Sequence, residues 1–166
     1  NVAQDRSDLQ IVGLVDLDLK IAKKRAEEYG LDNVVIDSSL ISVLSRTKPD
    51  GVFDVTIPDA HTEVTLTALK KGCHVLGEKP LSNSMVNARK SIKAAEKAGK
   101  IYAVIQNRRY NENIRRLTRL LASGAIGELT TVNCDFYLGA HFGGFRDRMK
   151  HVLLLDMAIH TFDQAR

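Results

Sequence analysis

Short apolar runs rich in β-branched residues alternate with longer amphipathic stretches through the first two-thirds of the chain, and no other feature constrains the fold as strongly. The runs are LQIVGLVD from Leu9, NVVID from Asn33, GVFDVTIP from Gly51, CHVL from Cys73 and IYAVIQN from Ile101. LQIVGLVD is apolar on both faces, as a strand covered by helices on both sides must be. The stretches between them read as helices. LKIAKKRAEEYG carries Leu19, Ile21, Ala22 and Ala26 among charges, with Asp18 as N-cap and Gly30 as stop. SSLISVLSRTKPD is capped by Ser38 or Ser39, turns Leu40, Ile41 and Leu44 inward, and ends at Pro49. AHTEVTLTALKKG is expected to bury Val64, Ala68 and Leu69 before Gly72, and SMVNARKSIKAAEKAGK to bury Met85, Ala88, Ile92 and Ala95 before Gly99. The order β-α-β-α-β-α-β-α-β predicts an α/β fold with a doubly wound parallel sheet.

After Asn107 the texture changes. YNENIRRLTRLLASG predicts a helix with Ile114, Leu117, Leu120 and Leu121 on one side and arginines on the other. GELTTVNCDFYLG alternates as a strand of a one-sided sheet would, and the Gly- and Arg-rich loop GAHFGGFRDRMK leads to a last helix, VLLLDMAIHTFDQAR. Residues 1–123 are therefore expected to form one domain and residues 124–166 to begin a second, α/β domain that is unfinished here.

None of the 11 glycines makes the G-x-G-x-x-G turn of a dinucleotide-binding first strand: Gly124 and Gly127 follow a helix, and Gly143 and Gly144 lie in a loop. LQIVGLVD nevertheless reads as the second strand of such a fold, because it ends in Asp16. The expectation is that a first βα unit is absent from the sequence, so that the Leu9 and Asn33 strands lose their link to the Gly51, Cys73 and Ile101 strands. A smaller, complete α/β fold starting at Leu9 is the competing reading. Lys and Arg number 24 against 20 acidic residues, a net +4, which is too mild for a dedicated nucleic-acid binder. Arg108, Arg109, Arg115, Arg116 and Arg119 read as a solvated helix face with no aromatic platform for bases. Cys73 and Cys134 fit neither a disulfide framework nor a zinc site. With no signal-like start and no long apolar span, a soluble cytoplasmic protein is expected.

Four places carry chemistry. Asp16, at the end of a buried strand, is positioned to accept hydrogen bonds from a ribose and repel a 2′-phosphate; Leu17 after it favours NAD, with NADP left open. Thr56, Ile57 and Pro58 end a strand at the carboxyl edge of the sheet, where ligands bind in open α/β folds; His61 beyond them reads as structural or capping. Gly77-Glu78-Lys79-Pro80 follows the next strand at the same edge, with Pro80 holding Lys79 extended. A lysine beside a nicotinamide and an alcohol can stabilise developing alkoxide charge, although alone the motif reads better as a surface turn. Asp156, His160 and Asp163 share one helix face at spacings of 4 and 3. That face suits a general base with its tautomer set by a carboxylate, an incomplete metal site, or a solvated polar stripe. The surrounding apolar residues argue against the last.

Taken together, GLVDLD, VTIPDAHTE, ALKKGCHVLGEKPLS, SGAIGEL and LLLDMAIHTFD resemble, in order and spacing, the glucose-fructose oxidoreductase / inositol dehydrogenase (Gfo/Idh/MocA) family over nearly the whole chain. The resemblance implies a Rossmann domain followed by an α/β domain with a large open sheet. It also implies NAD(P)-dependent oxidation or reduction of sugars, cyclitols and related polyols, commonly by dimers or tetramers. On that resemblance Lys79 corresponds to the catalytic lysine, Asp156 and His160 to a substrate-binding and acid/base pair, and Glu78, Lys79 and Gln106 to the nicotinamide side. A cofactor-sensing, non-catalytic protein of the same fold is the alternative. It has no need of Lys79, Asp156 and His160 together.

Overall fold

The computed structural model describes residues 6–137, 139 and 142–166. The predicted alternation is present. Strand β1 (Gly13–Val15) is followed by helix α1 (Leu19–Glu28), β2 (Val35–Asp37), α2 (Leu40–Thr47), β3 (Gly51–Asp54), α3 (Pro58–Lys70), β4 (His74–Gly77), α4 (Met85–Ala98) and β5 (Tyr102–Val104). A short 3-10 turn (Asn107–Tyr110) leads to α5 (Glu112–Ala122). The last part holds a second 3-10 turn (Gly144–Arg148), a π-helical turn (Leu153–Met157) and α6 (Ala158–Ala165).

All strand pairings are parallel, and they fall into two groups. β1 pairs with β2, Gly13 opposite Val35 and Val15 opposite Asp37. β3, β4 and β5 pair in that order, with Val52 opposite Val75 and Val75 opposite Tyr102. No ladder joins the two groups among the described residues, which is the separation expected from the absent glycine turn.

The helix ends are set by the residues that the sequence marks. Asp18 accepts from Lys20 N at 2.9 Å, Ser39 from Ser42 N at 3.3 Å and Ser84 from Asn87 N at 3.2 Å, each side chain satisfying a first-turn amide that the helix leaves unpaired. The core is small: Leu44, Ala68, Leu69, Cys73, Val75 and Ala95, with Leu40, Val52, Ala94 and Tyr102 packed on it.

The inward faces differ from expectation in phase. Met85 is 69% and Ile92 43% exposed, while Ser91 and Ala95 are buried, so α4 presents its small residues to the core. Helix α3 lies against it, and close helix approach favours small side chains over long ones. Ile41 on α2 likewise faces out. Residues 127–137 of the strand expected over 127–139 are not in strand conformation, and residue 138 lies outside the described residues. Residues 128–137 make no ladder, because among the described residues no other strand lies beside them to pair with.

One close approach depends on a missing side chain. A Cβ at Gly13 would clash with Cγ1 of Val43, a buried, β-branched residue on α2 with little rotamer freedom. Gly13→Ala should destabilise the fold by about 1–3 kcal/mol. Urea unfolding should show the loss, and adding Val43→Ala should recover part of it.

Among the described residues no helix is long and apolar enough to cross a membrane.

Candidate active site

The carboxyl ends of β3, β4 and β5 turn out residues of three kinds: a structural network, a charged turn and a glutamine. The structural network is buried. Asp54, at the end of β3 and 1% exposed, accepts from Thr56 N at 3.1 Å and from Thr56 Oγ1 at 2.6 Å, and its second oxygen lies 3.2 Å from His61 Nδ1. Burial disfavours the Asp54 charge, but the His61 and Thr56 bonds outweigh it and keep the carboxyl below its ordinary range. His61 is thus a structural histidine, as its place in the sequence suggested. Asp54 is marked in the sequence only as a carboxylate inside the apolar run GVFDVTIP.

This network touches the charged turn. The Asp54 carbonyl accepts from Glu78 N at 2.8 Å, tying the end of β3 to the residue that leads into Lys79. Glu78 Oε2 accepts from Lys79 N at 3.1 Å. The Lys79-Pro80 peptide is cis.

Lys79 reaches across 77 residues to the last helical segment. Its Nζ donates to Asp156 Oδ1 at 2.5 Å and to the Asp156 carbonyl at 2.8 Å. Asp156 sits in the π-helical turn, a local widening that often marks a functional position. Its other oxygen accepts from Arg146 Nε at 2.8 Å. Burial would raise this carboxyl, which is 2% exposed, yet the Arg146 and Lys79 donors prevail and lower it from its ordinary value. Arg146 stands over the Phe145 ring at 4.6 Å and near the Phe142 ring at 5.8 Å. Nothing in the order of residues marks Arg146 as a partner of Asp156.

His160 lies one turn further along, 6% exposed. Burial lowers its proton affinity first, and the Arg108 and Lys79 charges lower it again, against partial opposition from Asp156 and Asp163. The imidazole is therefore neutral at pH 7. Neither carboxylate holds its Nδ1, which has no partner among the described residues. Asp163 is instead taken by Arg109, whose Nε donates at 2.8 Å and whose Nη2 pairs with the second oxygen. The expected bracket of His160 by two carboxylates is thus not hydrogen-bonded, because each carboxylate has a cationic partner from another element. Apolar neighbours do not enclose the segment either: Leu153 and Leu154 are 55% and Phe162 62% exposed, and the polar Asp156 and His160 are the buried ones.

The remaining candidates are distributed along the same edge. Gln106 follows β5, and its buried Oε1 lacks a partner among the described residues. Thr56 is engaged by Asp54, Ile57 precedes α3, and Pro58 is the buried first residue of that helix. Asp16 follows β1, and one of its oxygens accepts from Asp18 N at 2.8 Å. No described contact joins Asp16 to Lys79. Arg109 and Arg116 of the arginine-rich segment are paired with Asp163 and Glu112. Among the described residues, no three His, Cys, Asp or Glu side chains are grouped to hold a metal ion.

A family profile described as "Oxidoreductase family, NAD-binding Rossmann fold" (GFO_IDH_MocA) matches residues 1–106. D-glucoside 3-dehydrogenase of Escherichia coli K12 is 33% identical over 165 residues, 96% of this chain and 46% of that protein. The myo-inositol 2-dehydrogenase structure from Lactobacillus plantarum superposes with a TM-score of 0.83 at 19% identity, over 99% of this chain and 50% of that one. The WlbA dehydrogenase of Bordetella pertussis, solved with NADH and UDP-GlcNAcA, gives a TM-score of 0.69 at 21% identity, over 74% of this chain and 35% of that one. The chain thus spans about half the length of the curated relatives it matches. With its parallel α/β order, its match to the family profile and its D-glucoside dehydrogenase relative, the chain belongs to the GFO_IDH_MocA oxidoreductase family and has its NAD-binding Rossmann fold.

Proposed function

We propose that the protein is an NAD-dependent dehydrogenase acting on a CH–OH group of a sugar, cyclitol or related polyol. The observation that carries the reading is the Lys79–Asp156 contact, which brings an ammonium at the carboxyl end of β4 to the segment bearing a buried, neutral histidine. The residues present suit a nicotinamide cofactor. Gln106 Oε1 is a buried acceptor without a partner, and Asp16 retains a second carboxylate oxygen at the end of β1, where a ribose would lie. The bound cofactor would supply the hydride chemistry.

The chain's own residues then have distinct tasks. Lys79, oriented by Asp156, donates a hydrogen bond to the reacting oxygen and stabilises negative charge as it develops there. His160, neutral at working pH, takes the hydroxyl proton in oxidation and returns it in reduction. Glu78 and Gln106 border the nicotinamide, and Thr56, Ile57 and Pro58 the rest of the dinucleotide. The intact protein works in this reading as a homodimer or homotetramer in the cytoplasm.

The neutral His160 makes a pH prediction. Its proton affinity in the folded protein is below the ordinary 6.5, so the base form persists as pH falls through that value. The acid limb of kcat/KM for polyol oxidation should therefore lie below pH 6.5 and vanish in His160→Asn. Initial rates of NADH formation across pH 5–9 with a polyol panel would test the whole reading. NAD binding without turnover of any polyol would favour a sensor instead.

A further inference from the structure

The amino ends of β3, β4 and β5, opposite the edge that carries Lys79, hold a second concentration of charge. A cleft of about 600 Å³ opens there. Asp50 ahead of β3, His74 at the start of β4 and Lys100 ahead of β5 border it, with Ser45, Lys48 after α2 and Lys71 after α3. At about 3.3 Å per residue, β4 alone sets His74 about 10 Å from Gly77, and the Lys79 turn lies beyond that. Three lysines thus share the cleft with one carboxylate. Among the described residues none of the three ammonium groups is in a salt bridge. Lys71 Nζ donates instead to Ser45 Oγ at 3.0 Å.

Two independent features point to an anion. The first is the backbone of Lys48, with φ 46° and ψ 55°, the only positive φ outside glycine among the described residues. Helix α4 ends on the same conformation at Gly99, which glycine adopts freely and a side-chain-bearing residue adopts at a cost. The cap needs only the Lys48 amide, which donates to the Leu44 carbonyl at 3.0 Å. A strained position held by lysine where glycine would serve is accounted for if its ammonium binds something in the cleft. The second feature is the tautomer of His74. Its Nδ1 accepts from Ile101 N at 3.0 Å, so the ring proton stands on Nε2 and makes that atom a donor. Ser45 Oγ, accepting from Lys71, keeps its own proton to donate. The cleft therefore offers three ammonium groups, an imidazole N–H and a hydroxyl against one carboxylate.

The donor types select among anions. Ammonium groups act as compact point charges that suit a tetrahedral phosphate, whereas a carboxylate is matched best by the planar fork of arginine. Among the described residues no arginine borders the cleft. We propose that it binds a phosphate dianion, free or as the monoester of a small metabolite, at a site separate from the NAD edge.

Calorimetric titration of the full-length protein saturated with NAD, using inorganic phosphate, phenyl phosphate and benzoate, tests the site. One-to-one, saturable binding of a phosphate probe is expected, about tenfold or more tighter than benzoate. Tighter binding of phenyl phosphate assigns the site to an ester, and tighter binding of inorganic phosphate to the free ion. Affinity should fall about tenfold or more in Lys48→Gly and in Lys71→Gln, and be largely kept in Lys48→Arg. Lys48→Gly should melt no lower than wild type, so unfolding does not account for its loss of binding. Lysines placed only to complement the negative ends of α2 and α3 predict the opposite pair of results: no saturable phosphate binding, and a Lys48→Gly variant that melts lower. That outcome overturns the proposal. So do phosphate binding that survives Lys48→Gly, equal binding of benzoate, and phosphate binding that appears only when NAD is left out, which would place the ion in the cofactor's own site.

Discussion

Lys79→Met in the full-length protein should lower kcat for polyol oxidation by on the order of 10²–10⁴-fold, with NAD affinity changed little. The expectation follows from where the ammonium stands. Its Nζ is fixed at 2.5 Å from Asp156 Oδ1 and 2.8 Å from the Asp156 carbonyl, so two of its three donors have defined directions. The third is the one available to a substrate oxygen. Methionine keeps the length of the side chain and removes the charge and the donors, so the loss falls on the transition state. Lys79→Arg should recover little, because a planar guanidinium cannot place a single donor where an ammonium does. Steady-state kinetics alongside an NADH fluorescence titration separates the two readouts. A kcat within a fewfold of wild type would remove Lys79 from the chemistry.

Asp156→Leu should cost about 3 kcal/mol of stability. The carboxylate is 2% exposed and neutralises Lys79 and Arg146, whose side chains are 14% and 33% exposed. Removing it leaves two cations facing each other with no counter-charge. Their partial exposure keeps the figure at the low end for a broken buried pair. The pH dependence has a definite sign. The folded carboxyl is depressed below its ordinary 3.8, so its contribution is complete above that value and is lost as pH falls toward the folded pKa. Wild type and Asp156→Leu should therefore differ most near neutrality and converge in acid. Urea unfolding at pH 7 and at pH 3 measures both. A difference that is the same at the two pH values would mean that packing, not charge, sets the effect.

Much of the fold was legible because it depends on local patterns. Strand and helix alternate where apolar runs alternate with amphipathic stretches, and Asp18, Ser39, Ser84 and Gly99 stand at helix ends for reasons confined to one turn of chain. The split between β1-β2 and β3-β4-β5 was also foreseeable, since the glycine turn of a linking strand is not in the sequence. Which residues face inward was less legible. On α4 the 3–4 spacing admits two neighbouring faces, and Met85 and Ile92 lie on the one that packing against α3 leaves outside. Alternation in 128–137 suggested a strand, but a strand exists only when another lies beside it.

The candidate site divides in the same way. Asp156 and His160 could be singled out as polar groups in an apolar segment, whereas Lys79 by itself reads as a surface turn and stands out only through the family resemblance. Their partners could not. Asp156 belongs to Lys79 and Arg146, Asp163 to Arg109, and Asp54 to His61 and Thr56, and two of these three sets join elements far apart in sequence. A sequence determines which groups must find partners when buried. Which partner each one finds depends on how elements tens of residues apart come together, and that is decided only when the chain has folded.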